Sequence, residues 1–189
     1  MKKISIFLTF FMLFSAGCSY KNEAIELKPY TYDYKGDLTK NKKSVFIRSI
    51  NDTRDSKIVG YVLQNDRKGT VLYSEVDFAQ RFKKDMPQAL QLAGFEKAYD
   101  DNSADLSLDI TIKKIEIIYN DDKSTGKNLE GEMEVDVIIH KNMETITQNF
   151  RQKGGLWLAP SYTSKDIEPF LYTLFSDSIN DIVSKLTRH

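Results

Sequence analysis

The sequence predicts an α+β fold, in which an antiparallel or mixed β-sheet is covered on one face by two amphipathic helices. Three observations lead to this class: apolar and polar residues alternate between 105 and 151, an apolar stripe at helical spacing runs from 74 to 94, and a second such stripe closes the chain. Because a sheet and a helix that each have one apolar face bury those faces against each other, we expect a two-layer sandwich.

The clearest strand pattern begins at Asp105. Beginning with the next residue, every second side chain is apolar until the phase changes at Lys113 and Lys114. Ile115 and Ile117 then continue the apolar set. Since the side chains of a strand alternate between its two faces, one extra residue at this point would keep all the apolar residues on one face. The sequence therefore predicts a β-bulge there.

A β-hairpin is predicted from two further alternating runs, 129 to 139 and 144 to 151, with Lys141-Asn142 as a two-residue turn. This register puts apolar residues opposite apolar ones on one face and polar residues opposite polar ones on the other. The predicted pairs are Val137 with Ile146, Met133 with Phe150, Glu132 with Arg151, and Asp136 with Thr147.

Two helices are predicted from their apolar spacing and their end signals. In the first, Ser74 is the expected N-cap with Asp77 three residues on, and Gly94 ends a helix of about twenty residues. The second carries an apolar stripe from Ile167 to Leu186, and its proline fits only near the start.

The earlier strands are less sharply patterned. Residues 44 to 50 have apolar side chains on both faces, as a central strand requires. The β-prone runs 58 to 63 and 69 to 73 are joined by the polar segment 64 to 68, so they form either a hairpin or the two sides of a long ordered loop. Residues 25 to 27 are expected to form a short edge strand.

The first seventeen residues have the pattern of a secretory signal peptide. Two lysines precede an apolar run from 4 to 14, and small residues follow that run. Eleven helical residues reach only about 16 Å, roughly half the hydrocarbon thickness of a bilayer, so this run is too short for a permanent spanning helix. Cleavage before Cys18 would make the only cysteine the first residue of the mature protein.

The end of this segment, Ala16-Gly17-Cys18-Ser19, resembles the lipobox of bacterial lipoproteins, with Ser15 where that pattern prefers leucine. The resemblance implies a diacylglyceryl group on the Cys18 thiol and a further acyl chain, such as palmitate, on its amino group. It also implies an outer-membrane location facing the periplasm, because Ser19 stands where aspartate retains such proteins at the inner membrane.

Composition narrows the possible partners. The chain carries 27 basic and 27 acidic side chains, and the basic ones are scattered among the carboxylates. Since nucleic-acid binding needs a basic face, no nucleic-acid partner is expected. With no second cysteine for a disulfide, packing alone must stabilise the fold.

We expect a lipidated N-terminus and tether over 18–43 and a single periplasmic domain over 44–189.

A row of carboxylates is the sharpest polar feature of the sequence. It could form a cation site or an acid pair, but a strand with one buried face requires polar residues on the other, and Lys113, Lys114 and Arg151 are available as neighbours. We therefore predict a solvated strand face, with no catalytic residue, cofactor or metal site. The row consists of Glu130, Glu132, Glu134 and Asp136.

Other candidate groups lack the spacing that chemistry requires. His140 and His189 have no cysteine or serine partner in a known motif. Gly154-Gly155 is interpreted as a bend or bulge, because a phosphate-binding loop needs further glycines between a strand and a helix. Phe150 and Trp157 could form a ligand surface, but aromatic residues near a sheet edge more often belong to the core.

Four segments stand in an order that covers nearly the whole mature chain: Ala24-Ile25-Glu26-Leu27-Lys28-Pro29, Asp52-Thr53-Arg54, the predicted helix ending in Ala93-Gly94-Phe95, and Ala104-Asp105-Leu106. Together they resemble the YajG family of bacterial lipoproteins. The resemblance implies an envelope lipoprotein without an established activity.

Two hypotheses of function follow. The first, which we favour, is a non-enzymatic, lipid-anchored envelope lipoprotein that binds a protein, lipid or peptidoglycan partner as an accessory module. The alternative is a periplasmic hydrolase with an unconventional carboxylate site. The first is preferred because no base, nucleophile or metal cluster is recognisable in the sequence.

Overall fold

The computed structural model describes residues 22–29, 31, 34–160 and 162–189, which form one mixed sheet of eight strands and two helices. The helices pack against the sheet, which confirms the predicted α+β class. The signal segment 1–17 and Cys18 lie outside the described residues. The elements are β1 (Glu23–Ala24), β2 (Ser44–Asp52), β3 (Ile58–Gln64), β4 (Arg67–Tyr73), α1 (Phe78–Leu92), β5 (Glu96–Lys97), β6 (Leu106–Asn120), β7 (Leu129–Lys141), β8 (Glu144–Leu156) and α2 (Ser164–Leu186).

Strand β6 is the centre of the sheet. Along one edge it pairs antiparallel with β7 over nearly its whole length, and β8 follows β7. Its other edge is shared by two parallel strands, with β2 beside its first half and β3 beside its second half. Beyond these, β5 pairs with β2, β4 pairs with β3, and β1 pairs with β4.

The predicted β-bulge in β6 is confirmed. The register with β7 shifts between Ile112 and Lys114, and the skipped Lys113 is exposed to solvent. Ile112 and Ile115 are both buried on the helix-covered face, because the extra residue restores the alternation that a regular strand would lose.

The predicted register of the β7–β8 hairpin is wrong by two residues. Its turn is Asn142-Met143, so Lys141 pairs with Glu144. Asn142 adopts a φ of 55°, a left-handed conformation that asparagine tolerates better than most residues. A shift of two leaves every side chain on its predicted face. Val137 now faces Gln148, Met133 faces Gln152, Glu132 faces Lys153, and Asp136 faces Asn149.

Strands β3 and β4 form a hairpin whose turn is Asn65-Asp66. Of the two predicted alternatives, the hairpin is therefore correct and the long ordered loop is wrong.

Helix α1 is shorter than predicted, because Ser74 does not cap it. Ser74 is buried, and its hydroxyl donates to the Ile25 carbonyl at 2.7 Å. The N-cap is Asp77, whose side chain accepts a hydrogen bond from the Gln80 backbone at 2.9 Å. The helix ends as predicted near Gly94, which has a φ of 91° that favours glycine.

Helix α2 lies close to the sheet because glycines face it from two adjacent strands. A Cβ at Gly131 would lie 2.7 Å from Phe170, and one at Gly154 would lie 3.2 Å from the same ring. Pairing through Gly154 and Gly155 is continuous, so the predicted bend or bulge is wrong. Gly154 instead makes room for a helix side chain. Where the two helices meet, Phe82 packs edge-on against Phe175 with ring centres 4.9 Å apart.

The described part of the N-terminal segment contacts the domain. Ile25 and Leu27 are buried in the core, and the Ile25 N–H donates to the Tyr73 carbonyl at 2.7 Å. The strand in this segment is Glu23–Ala24, slightly before the predicted position. The described N-terminal segment therefore joins the sheet through β1, next to β4.

Candidate functional site

The open face of the sheet carries the predicted carboxylate row, and Glu132 is its most enclosed member. Glu132 forms an ion pair with Arg151, and the amino groups of Lys114 and Lys153 each lie 3.8 Å from its carboxylate. Burial raises the pKa of Glu132, but the hydrogen bond from Arg151 and these positive charges lower the pKa below its ordinary value. A general acid needs the opposite shift, so this geometry suits an ion pair.

The other three carboxylates do not all converge on one point. Glu130 lies 3.5 Å from the amino group of Lys123, while Glu134 and Asp136 accept hydrogen bonds from the same Asn149 amide at 2.9 and 2.8 Å. Across the described ranges, no three His, Cys, Asp or Glu side chains are grouped so that they could hold a metal ion.

A polar chain on the same open face was not predicted. Ser49 donates to one oxygen of Asp109 at 2.6 Å, and His140 Nε2 lies 3.0 Å from the other oxygen. Thr145 Oγ1 lies 3.3 Å from His140 Nδ1. Ser49, Asp109 and His140 are far apart in sequence, and the parallel β2–β6 register and the antiparallel β6–β7 register bring them together. Thr145 pairs with His140 in the β7–β8 hairpin.

This chain differs from a catalytic triad, because the carboxylate lies between serine and histidine. Activation of a serine requires histidine to accept the serine proton, whereas here the Ser49 hydroxyl donates to Asp109. Burial raises the pKa of Asp109, but the hydrogen bonds from Ser49 and His140 and the charge of Arg48 lower the pKa overall. The arrangement stabilises an ionised Asp109 between three strands.

The remaining predicted candidates are in different environments. Phe150 is buried, as a core residue should be, whereas Trp157 is 50% exposed, so the core interpretation is wrong for Trp157. His189 lies beside Gln148, with 3.0 Å between its Nε2 and the amide nitrogen. Burial and the charge of Lys141 lower the pKa of His189.

A groove of about 870 Å³ lies beside the outer edge of β2, where α1 and the segment after β5 form its walls. We call it the edge groove. Its surface is mainly apolar, and Tyr99 at its rim is 83% exposed. Its apolar lining includes Val45, Ile47, Pro87, Leu90, Phe95 and Tyr99.

The backbone of β2 is only partly paired along this groove. Strand β5 pairs with Ser44 and Val45 alone, and the last bond of that ladder runs from the Ala98 N–H to the Val45 carbonyl at 3.0 Å. Strand β2 continues to Asp52, and no described strand pairs with its outer edge beyond Val45. The sequence predicted a central strand here, but β2 is central for only its first two residues.

Charged side chains at the rim of the edge groove are mostly basic. Lys83 and Lys97 line it, together with Glu96, whose carboxylate is 3.4 Å from the amino group of Lys42. The Lys97 amino group lies 5.1 Å from the centre of the Tyr99 ring. The rim therefore combines an exposed aromatic ring with two lysines.

The chain belongs to a family of uncharacterized lipoproteins, the YajG-like family Lipoprotein_16, whose model matches residues 34–185. This confirms the resemblance found in the sequence. Family membership indicates a location in the bacterial cell envelope. Comparison with curated proteins found no significant match.

Two solved structures share the fold. One is a Xanthomonas campestris protein of the DUF330 family, with a TM-score of 0.51 and 11% identity, covering 89% of this chain and 91% of the other. The second is an uncharacterized protein with a TM-score of 0.50 and 8% identity, covering 88% of this chain and 97% of the other. At such identities the likeness concerns the fold alone.

Neither helix of the described chain is long and apolar enough to cross a membrane.

Proposed function

We propose that this protein is a lipid-anchored lipoprotein of the bacterial envelope that acts by binding a partner, with the edge groove as its binding site. Acylated Cys18 would hold it in the outer membrane, with the domain in the periplasm. The observation that carries the proposal is the outer edge of β2, which lies beside an apolar groove and is not paired by a described strand beyond Val45.

Among protein, lipid and peptidoglycan, an extended protein segment fits this groove best. An unpaired strand edge offers backbone N–H and C=O groups that another strand can pair, while pockets beside it accept every second side chain. The short strand β5 already uses the first two residues of this edge. A partner strand would continue the same ladder from Ile47 onward.

Binding without catalysis is proposed because the polar groups on the open face neutralise one another. Glu132 forms an ion pair with a cationic side chain. The Ser49 hydroxyl donates its hydrogen bond to Asp109, whereas activation of a serine would need it to donate to a histidine. The groove is lined by apolar side chains, two lysines, two glutamines and Glu96, and the described residues that line it include no serine, threonine, cysteine or histidine. The periplasmic hydrolase therefore remains the weaker alternative.

Photo-crosslinking in intact cells tests the groove. A photoreactive phenylalanine analogue at Tyr99 should form a crosslink to a defined envelope protein, and mass spectrometry should locate that crosslink in an extended segment. Gln91→Arg places a long charged side chain into the groove and should abolish the crosslink. Gln80→Arg, on the exposed start of the same helix and outside the groove, is the matched control and should preserve it.

Two outcomes of that experiment would contradict the proposal: no crosslink from Tyr99, or a crosslink that persists with Gln91→Arg in a folded protein. Location is tested separately by mass spectrometry of the mature N-terminus and by membrane fractionation. A free thiol at Cys18 would remove the lipid anchor, and recovery in inner membranes would remove the outer-membrane assignment alone.

A further inference from the structure

The chain enters the fold near one end of the sheet. Glu23 in β1 pairs with Leu72, Leu72 pairs with Gly60, and Gly60 pairs with Ile117, close to the end of β6. Because β1 is parallel to β4, the N-terminal end of β1 points towards the Asn65-Asp66 turn. The start of β1 therefore lies on the side of the sheet where β6 ends.

Three segments form this end of the sheet, which we call the anchor end: the Asn65-Asp66 turn, the loop 121–128, and the residues around Trp157. The turn contacts the loop, since the Asp66 N–H donates to Asp122 at 3.4 Å. The loop contacts the chain after β8 through Asn128. The opposite end, which we call the far end, carries the Asn142-Met143 turn and the start of β2.

Chain length limits which end can reach the membrane. Cys18 precedes Glu23 by five residues, which span at most about 17 Å when fully extended. From the level of Ile117 to the first residue of β6, at the far end, the strand extends roughly 36 Å. The link from Cys18 to Glu23 is therefore too short for the far end to face the membrane while the anchor end points away from it.

Trp157 is an exposed aromatic residue at the anchor end. Its backbone is held firmly, because the buried Asn128 side chain donates to the Leu158 carbonyl and accepts from the Leu158 N–H, both at 2.7 Å. The exposed indole is therefore carried by a stretch of backbone that is held at the end of the sheet. Tryptophan is favoured at the membrane–water interface, where the ring is partly in apolar surroundings and its N–H remains hydrated.

We propose that the anchor end rests on the phospholipid surface, with the Trp157 indole in the headgroup layer. This inference depends on the lipid anchor at Cys18 that the proposed function includes. Charged residues of both signs lie at this end, among them Arg67, Lys68, Asp121 and Asp122, so charge does not determine the orientation. The short link from Cys18 to Glu23 and the position of Trp157 determine it. In this orientation the edge groove, which lies beside the start of β2, faces away from the membrane and is open to partners.

Fluorescence can test this directly, because Trp157 is the only tryptophan of the chain. The full acylated protein is reconstituted into phosphatidylethanolamine–phosphatidylglycerol vesicles, and vesicle flotation confirms that it is anchored. A phospholipid with a nitroxide on its headgroup is then added to the vesicles. We expect it to quench at least about half of the Trp157 emission, since quenching requires the probe and the ring to lie in the same layer.

The matched control moves the indole to the far end. The double variant Trp157→Phe, Met143→Trp places it at a fully exposed turn residue, and the nitroxide lipid should leave its emission nearly unchanged. Circular dichroism confirms that both proteins are folded. Equal quenching of the two indoles, or no quenching of Trp157 in protein that floats with vesicles, overturns the docked orientation alone. Protein that does not float overturns the anchor and, with it, this inference.

Discussion

The two faces of the sheet are stabilised in different ways. Along β7, Val135 and Val137 are completely buried under the helices, while their neighbours Glu134 and Asp136 point to the open face and remain partly hydrated. The covered face gains free energy from excluding water from apolar surface. The open face replaces hydrogen bonds to water with ion pairs and side-chain hydrogen bonds, which contributes much less.

This difference indicates which surface can change without loss of the fold. The helix-covered face is close-packed, so even a methyl group added or removed there should be felt. Side chains on the open face have room to move. Matched pairs of substitutions, one on the covered face and one at an exposed position, can therefore test this difference in stability.

The largest effect is expected from Met133→Ala. Met133 is fully buried on the covered face, so the substitution removes apolar contacts and leaves a cavity. The free energy of unfolding should fall by roughly 2 to 5 kcal/mol, measured by urea denaturation. Met143→Ala, in the exposed turn of the same hairpin, should change it by less than about 0.5 kcal/mol. Similar losses for the two variants would mean that the covered face is not the main source of stability.

A smaller effect is expected from added volume. Gly131→Ala would bring a methyl group within 2.7 Å of both Phe170 and Leu174, so α2 must move or repack, at a cost of roughly 1 to 3 kcal/mol. The control is Gly155→Ala on the open face, where the nearest atom belongs to the flexible Lys127 side chain at 2.9 Å. We expect that control to be within about 0.5 kcal/mol of wild type in thermal unfolding. A larger loss for Gly155→Ala would contradict the comparison.

The faces could be predicted from the sequence because they depend only on alternation. Moving the β7–β8 turn from Lys141-Asn142 to Asn142-Met143 shifts every pair by two, and a shift of two does not exchange the faces. The bulge at Lys113 was predictable for the same reason, since it appears as a change of phase within one strand.

Long-range placement could not be predicted in this way. The sequence does not indicate that β2 pairs with β6, and both the Ser49–Asp109–His140 contacts and the edge groove depend on the position of β2. Ser74 matched the pattern of a helix cap, but the Ile25 carbonyl from a distant segment binds its hydroxyl instead. Local patterns thus determined faces and elements, while tertiary contacts determined the candidate site.

The polar chain on the open face predicts a pH dependence. The native pKa of Asp109 lies below its ordinary value, so ionised Asp109 contributes stability that is complete above about pH 4 and is lost as the pH falls through the native pKa. Asp109→Asn should cost about 1 to 2 kcal/mol at pH 7, and this difference should shrink below pH 4. Denaturation from about pH 3 to 7 measures it, with the exposed Asp55→Asn as control. A constant difference across that range would show that the contribution is not ionic.

The smallest effect per residue is expected from the carboxylate row. Amides replace all four acids in the variant Glu130→Gln, Glu132→Gln, Glu134→Gln, Asp136→Asn. A partly exposed ion pair contributes about 0 to 1 kcal/mol, so each substitution should cost little, and Glu132→Gln should cost the most because three cations surround that carboxylate. Thermal unfolding of four variants that each carry one of these substitutions checks that Glu132→Gln costs the most.

The same variant separates binding from catalysis. A catalytic carboxylate exchanges a proton or stabilises charge in the transition state, so its amide loses orders of magnitude in rate. A solvated strand face has no such dependence, and the Tyr99 crosslink and complementation of a deletion should both survive. Cys18→Ser should abolish complementation by releasing the domain from the membrane. If the amide variant folds but fails to complement, while an exported, unanchored domain still complements, the acidic row is the functional site and the anchored binding module is wrong.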